Sequence, residues 1–272
     1  MTTRTSHTGV NHLQKTHVFG ALVLSAVSLF AHADQKTMRM GIEAAYPPFN
    51  YADQQGKLGG FDYDIGNALC EEMKVKCQWV VLAFDGMIPS LNTKKIDAAV
   101  TSMSITPDRL KSVDFSKKYY HTPGRYTMKA GTELSDSLVE LKGKKVGVQR
   151  ASTYDRFATA ELEKTGIEVV RYDTQAQAFL DLQNGRIDAA LADSVFTNDS
   201  FLQTPQGKGF AMVGPSTASK PEYFGKGAGI AIRKGDVQTK ERLDAAIDAI
   251  RANGTYDKVM AKYFTFDIYG AR

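Results

Sequence analysis

Three charged residues stand where an apolar run gives way to a polar loop: Glu43 in GIEAAYPPF, Arg109 in TSMSITPDRL and Asp193 in IDAALAD. Thr106 suits a helix N-cap, Pro107 the first helical position and Asp108 the first turn. Arg109 then falls in that same turn, where the helix dipole opposes a cation. An arginine there gains if it shares an incoming carboxylate with the free amides. Otherwise it is a surface arginine. Asp193 can accept an ammonium, or can simply cap the helix begun by SVFTND. The hydroxyls of Thr101, Ser102 and Ser104 share the Arg109 loop, and Ser152 and Thr153 open another helix after VQRA. Taken alone, such hydroxyls commonly satisfy local backbone. A cation with amides on one side and an anion nearby suits a zwitterion, and an amino acid is the smallest common one.

Aromatic residues flank the same loops. Tyr46 precedes Pro47 and Pro48, which cannot donate to a sheet or helix, and Phe84 lies in LAFDGMIPSL. The two can enclose a flat or aliphatic side chain, with Glu43 at its far end, or can belong to the core. Phe49 is assigned to the core. A carboxylate at Glu43 selects a cationic side chain, because a neutral one leaves it unpaired.

These loops need elements to hold them. LNTKKIDAAVTS (91–102) and LQNGRIDAALAD (182–193) each read as a helix end, a basic turn and a buried strand. A strand and helix precede each, and a further short strand precedes those: MRMGIEAAY in one case, KKVGVQRASTY in the other. Strand, helix, strand, helix, strand therefore occurs twice, predicting α/β architecture in two lobes with mostly parallel sheets. Ligands in such sheets bind at the C-terminal strand ends. KKYYHTPGRYTMK (117–129) and YFGKGAGIAIRKGD (223–236) are the candidate crossings. Two such hinge strands give lobe one as residues 34–121 and 225–272 and lobe two as 122–224, with VQTKERLDAAIDAIRANG and TYDKVMAKYF returning to lobe one. GKGAG reads as a glycine hinge, since no helix follows to make a phosphate loop.

The first 33 residues carry only Arg4 and Lys15 as formal charges, then VFGALVLSAVSLFA, then AHA. This is the order of a cleaved secretory signal, with an uncleaved anchor as the alternative. Cleavage leaves 32 basic residues (34 less Arg4 and Lys15) against 30 acidic ones. That balance provides no electrostatic case for nucleic acid. Cys70 and Cys77 are the only cysteines. On one continuous helix they lie about 10 Å apart, so a bridge requires the helix FDYDIGNALCEEM to end between them. The strand-like KVKCQWVVL predicts that end, and two separately buried thiols are the alternative. No metal cluster, nucleotide loop or nucleophile triad stands out, and no cofactor is expected.

GIEAAYPPF, GFDYDIGNALC, FDGMIPSL, SITPDR, GVQRAST and RANGTYDK, in this order, resemble the periplasmic amino-acid-binding proteins of ABC importers, the class of the histidine and lysine-arginine-ornithine binders. The wording is most similar to arginine/ornithine binders. The resemblance implies the two-lobe type II periplasmic binding fold, a disulfide between Cys70 and Cys77, and capture of a basic L-amino acid for a membrane permease driven by an ATPase. It implies a monomer in the periplasm. Arg109 matches the carboxylate clamp, aided by Ser102, Ser104 and Thr153. Asp193 matches the ammonium acceptor, Tyr46 and Phe84 the aromatic pair, and Glu43 an aspartate of the basic-amino-acid binders. The sequence departs from the family pattern at Glu43, one methylene longer than aspartate, at Thr101, where a serine is common, and at Gln149 and Tyr154 near the ligand tip, positions that tune cation preference. An opine or histidine receptor, a sensor domain, and a dehydratase on the same scaffold are the rivals. The dehydratase is poorly supplied with histidine, because only His121 lies outside the leader.

Overall fold

The computed structural model describes residues 36–270, so the expected leader and its cleavage point lie outside the described residues. In chain order the first part gives β1 (Thr37–Ile42), a small antiparallel flap of β2 (Ala45–Tyr46), β3 (Asn50–Ala52) and β4 (Leu58–Gly59), then α1 (Phe61–Glu72) and β5 (Lys76–Val81). α2 (Met87–Asn92), β6 (Ala98–Ala99) and the long β7 (Val113–Tyr120) follow. The middle part gives β8 (Gly124–Lys129), β9 (Lys145–Gln149), α3 (Thr153–Phe157), β10 (Glu168–Tyr172), α4 (Gln175–Gln183), β11 (Ala189–Asp193), α5 (Ser194–Thr197), β12 (Phe210–Val213) and α6 (Pro221–Phe224). The chain ends with β13 (Ala228–Arg233), α7 (Val237–Ala252) and α8 (Thr255–Met260).

Two five-stranded sheets result, in the orders β5-β1-β6-β13-β7 and β10-β9-β11-β8-β12. The internal repeat is plain in them, for β6 and β11, the two IDAA segments, are the central strands. β1 runs parallel to β5 and β6, and β9 parallel to β10 and β11. The other two strands of each sheet pair antiparallel. Each sheet is therefore half parallel and half antiparallel, which corrects the mostly parallel reading. Helical crossovers make parallel neighbours; the remaining strands arrive through the crossing segments or a long loop and run the opposite way.

The helices form where their apolar spacing allows burial. Phe61, Ile65 and Leu69 line one face of α1 and are fully buried against a cluster holding Leu243, Ile247 and Ile250 of α7 and Tyr256 of α8. The C-terminal helices thus pack on the first sheet. α4 begins with a capping box between Thr174 and Gln177. α1 stops at Glu72, and Cys70 in its last turn is bonded to Cys77 in β5, as the cysteine spacing requires.

The expected helix at Pro107 is a single turn. Thr106 does cap it, its Oγ1 accepting from the Arg109 amide at 3.3 Å, and Leu110 N donates to Thr106 O at 3.0 Å. β7 then starts at Val113, leaving no room for a second turn.

The crossings are His121–Pro123, between β7 and β8, and Gly225–Gly227, before β13. They lie side by side, since Tyr120 is the partner of Ala228. Gly225 and Gly227 have φ of 73° and 128°, and a Cβ on Gly225 would lie 2.0 Å from the Ile105 carbonyl oxygen. β13 follows, not a helix, as a hinge requires and a phosphate loop does not. Gly225→Ala is expected to lower the free energy of unfolding by about 1–3 kcal/mol, from a strained backbone plus the close approach. Urea denaturation measures this, and a loss below about 0.5 kcal/mol would show that the crossing relaxes freely.

Candidate functional site

The C-terminal ends of β1, β6, β9 and β11 turn toward one another, and their loops enclose a single cleft. All eleven side chains singled out in the sequence border it. The space among them, counted together with its open mouth, is about 570 Å³. Of the six non-glycine residues with positive φ among the described residues, three lie in the cleft loops: Ala44 (61°), Ser102 (55°) and Ala151 (58°). Each belongs to a different cleft loop, and such geometry persists only where its surroundings enforce it.

Arg109 is 6% exposed. Its guanidinium donates to the carbonyl oxygens of Ser104 (3.0 Å) and, across the cleft, Ala151 (3.1 Å), and lies over the Phe84 ring. No carboxylate among the described residues pairs with it. Burial lowers its pKa to about 10, which still leaves it charged at neutral pH. A buried cation without a partner anion costs several kcal/mol.

Asp193 is 6% exposed and both caps and faces the cleft. Oδ1 accepts from the amides of Val195 (2.8 Å) and Phe196 (3.0 Å), and Oδ2 accepts from the Thr122 hydroxyl. Burial raises its pKa to about 6. The cap and the cleft role coexist because the donors approach from the α5 side and the hinge. Tyr154 sits at this end too, close enough to Arg109 and Asp193 to share their electrostatic field. Its placement corrects the expectation that it lies at the ligand tip.

At the other end Glu43 is 8% exposed. Its amide donates to Thr101 Oγ1 (3.2 Å) and its carboxylate accepts from Gln149 Nε2. Burial is the main cause that raises its pKa to about 7, partly offset by the Gln149 hydrogen bond. Beneath these loops lies a residue the sequence reading missed. Asp62, fully buried in α1, accepts from Tyr119 (2.7 Å), Ser102 (2.8 Å) and Asn50 (2.8 Å), while Asn50 Oδ1 accepts from the Ala44 amide (2.9 Å). One carboxylate thereby fixes both the Glu43 loop and the Ser102 loop. Ser102 accordingly borders the cleft with its hydroxyl hydrogen already given to Asp62.

Tyr46 stacks on Phe196 with ring centroids 4.0 Å apart and planes 4° from parallel. This contact joins opposite walls of the cleft, and nothing in the sequence relates two residues 150 positions apart. Phe49 is fully buried against Tyr120, as expected. His121, Thr122, Tyr120, Phe224, Gly227 and Ala228 also border the cleft. They belong to or adjoin the crossings, so a hinge assignment was the only signal that could have found them.

The family described as bacterial extracellular solute-binding proteins, family 3, matches residues 38–266. The L-arginine-binding protein of Pseudomonas aeruginosa is 55% identical over 259 residues, covering 95% of this chain and all of that one. The lysine/arginine/ornithine-binding periplasmic protein of Escherichia coli K12 is 42% identical over 246 residues, covering 90% and 94%. An ancestral arginine-binding protein bound to arginine superposes with a TM-score of 0.77 at 37% identity, covering 85% of this chain and 99% of that one.

The raised pKa of Glu43 has a consequence for stability. Its proton is held more tightly in the folded chain than in the unfolded one, where the value is near 4.5. The associated stabilisation is complete below about pH 4.5 and lost as pH rises through about 7. Glu43→Gln is therefore expected to stabilise the ligand-free protein by about 2–3 kcal/mol at pH 8 and by little at pH 4. Parallel urea titrations of both proteins at the two pH values measure the difference, and an equal effect at both would show that Glu43 ionises normally.

Proposed function

Since the chain belongs to the bacterial extracellular solute-binding proteins of family 3, we propose that it is the periplasmic receptor of an ABC importer for a basic L-amino acid, with arginine or ornithine as its ligand. The observation that carries this reading is Arg109, a buried guanidinium with no carboxylate partner among the described residues, across the cleft from Asp193, a buried carboxylate with no cation partner among them. An amino acid's α-carboxylate and α-ammonium supply both missing charges. The amide end of α3 at Ser152 and Thr153, with Ser104, lies on the carboxylate side. Tyr46 and Phe84 cover the aliphatic stem, and Glu43 with Thr101 and Gln149 forms the far end for a cationic group. Ornithine, lysine and arginine all present such a group.

Residues 34–121 with 225–272 act as one lobe and 122–224 as the other, turning on His121–Pro123 and Gly225–Gly227. Direct contacts across the cleft favour the closed arrangement: Arg109 to the Ala151 carbonyl, Asp108 to Arg156, and the Ser200 hydroxyl to the Pro47 carbonyl at 2.8 Å. Ligand shifts the open and closed populations by the contacts it makes to both walls. The monomeric closed form then docks on the permease. Residues 1–33 direct export and are removed.

Capture without chemistry is supported by the relatives, which are binding proteins. His121 does border the cleft, and one structural neighbour is described as a precursor of cyclohexadienyl dehydratase, 32% identical with a TM-score of 0.72. Turnover of prephenate or arogenate by the purified protein would favour that rival. Arg109→Ala is expected to weaken L-arginine by about 100-fold or more, the cost of leaving a ligand carboxylate buried and unpaired. Calorimetry on the folded variant measures this; near-normal affinity would sink the clamp.

A further inference from the structure

Glu43 directly follows β1 and Gln149 ends β9, the corresponding strands of the two repeats, so their hydrogen bond spans the cleft. Gln149 Nε2 donates to Glu43 Oε1 at 2.5 Å and to the Asp173 carbonyl at 3.2 Å. Both amide hydrogens are thus committed, and two acceptors fix the amide orientation. Gln149 is 4% exposed, yet its carbonyl oxygen has no protein donor among the described residues, and neither does the second oxygen of Glu43. The far end of the cleft therefore presents two unsatisfied acceptors on neighbouring side chains, one from each wall.

We infer that Gln149 is the residue that makes this site read a guanidinium in preference to an ammonium. A guanidinium spreads five N–H donors over a plane and can meet both oxygens through separate nitrogens. An ammonium concentrates three donors on one nitrogen, which must approach both oxygens from a single point. The neutral amide also holds the Glu43 carboxylate in place without adding a competing charge. Because the acceptors come from opposite walls, recognising the guanidinium and closing the cleft are one event. The inference rests on the receptor reading above and narrows its ligand to arginine.

The test compares L-arginine, L-ornithine and L-lysine by calorimetry on the mature wild type and on Gln149→Leu. Gln149→Met, which keeps the length of the side chain, serves as a second variant if the first folds poorly. Wild type is expected to prefer arginine over ornithine by about tenfold or more, the worth of one hydrogen bond to a charged group. In both variants that preference is expected to fall to about threefold or less, chiefly through weaker arginine binding. A ratio that stays at its wild-type value overturns the role of Gln149 and leaves the receptor reading standing. A wild type that binds none of the three removes the receptor reading, and this inference with it.

Discussion

A guanidinium held out of water with no carboxylate of its own is the interaction on which the remainder of the site depends. Arg109 is satisfied at its hydrogens by two carbonyl oxygens and at its face by Phe84, but its charge is not neutralised. Coulomb attraction would draw it to Asp193 if either side chain were free to move. Neither is. Asp193 is tied to two amides of α5 and to Thr122, and Arg109 is tied to loops on both walls. The fold keeps opposite charges apart, and only a ligand carrying both signs can neutralise them together.

Duplication explains how the geometry is achieved. Each repeat supplies a residue at or just after the end of its first strand, Glu43 or Gln149, and a charge beyond or at the end of its central strand, Arg109 or Asp193. The two sheets are similar in order, so facing them across paired crossings brings equivalent loops together. In the proposed reading the ligand's charges are consequently divided between walls, since the cation Arg109 and the anion Asp193 come from different repeats. Closure then has a driving force that neither wall possesses alone, and the glycines of the second crossing give the backbone the φ values that route requires.

Parts of this were legible from the sequence and parts were not, for physical reasons. The parallel half of each sheet follows from strand and helix periodicity, which is local. The antiparallel half does not, because the pairing of β7 with β13 joins segments more than 100 residues apart whose own sequences say only that they are extended. The turn at Thr106 carried correct capping signals but stopped after one turn, since capping specifies where a helix starts and the tertiary demand for β7 decides where it ends. The eleven residues singled out fall at the cleft because strand ends and helix starts concentrate there, whereas the residues at the crossings that also border it carry no such signal. Asp62 was missed because a carboxylate in an amphipathic helix has an ordinary explanation, and only its three buried donors reveal another. Phe196 was overlooked for a similar reason: its stacking partner Tyr46 lies across the cleft, and no local pattern encodes that.

Burial raises the pKa of Asp62, Glu43 and Asp193 alike, so a perturbed pKa alone does not distinguish scaffold from site. The unspent lone pairs do. Asp62 receives three side-chain donors and is finished; its work is to hold the loops of Ser102 and Ala44 in left-handed geometry. Asp193 receives three donors, two backbone amides of the helix start and the Thr122 hydroxyl beside the crossing, and its remaining side faces the cleft. Glu43 receives one side-chain donor, through one oxygen, and the other oxygen faces the cleft with nothing bound. An acid buried with a free acceptor is destabilising to the ligand-free chain and valuable only when a donor arrives. The order Asp62, Asp193, Glu43 is therefore the order in which these carboxylates pass from holding the fold to facing the cleft, and in the proposed reading the one least satisfied by the protein is the one that discriminates among side chains.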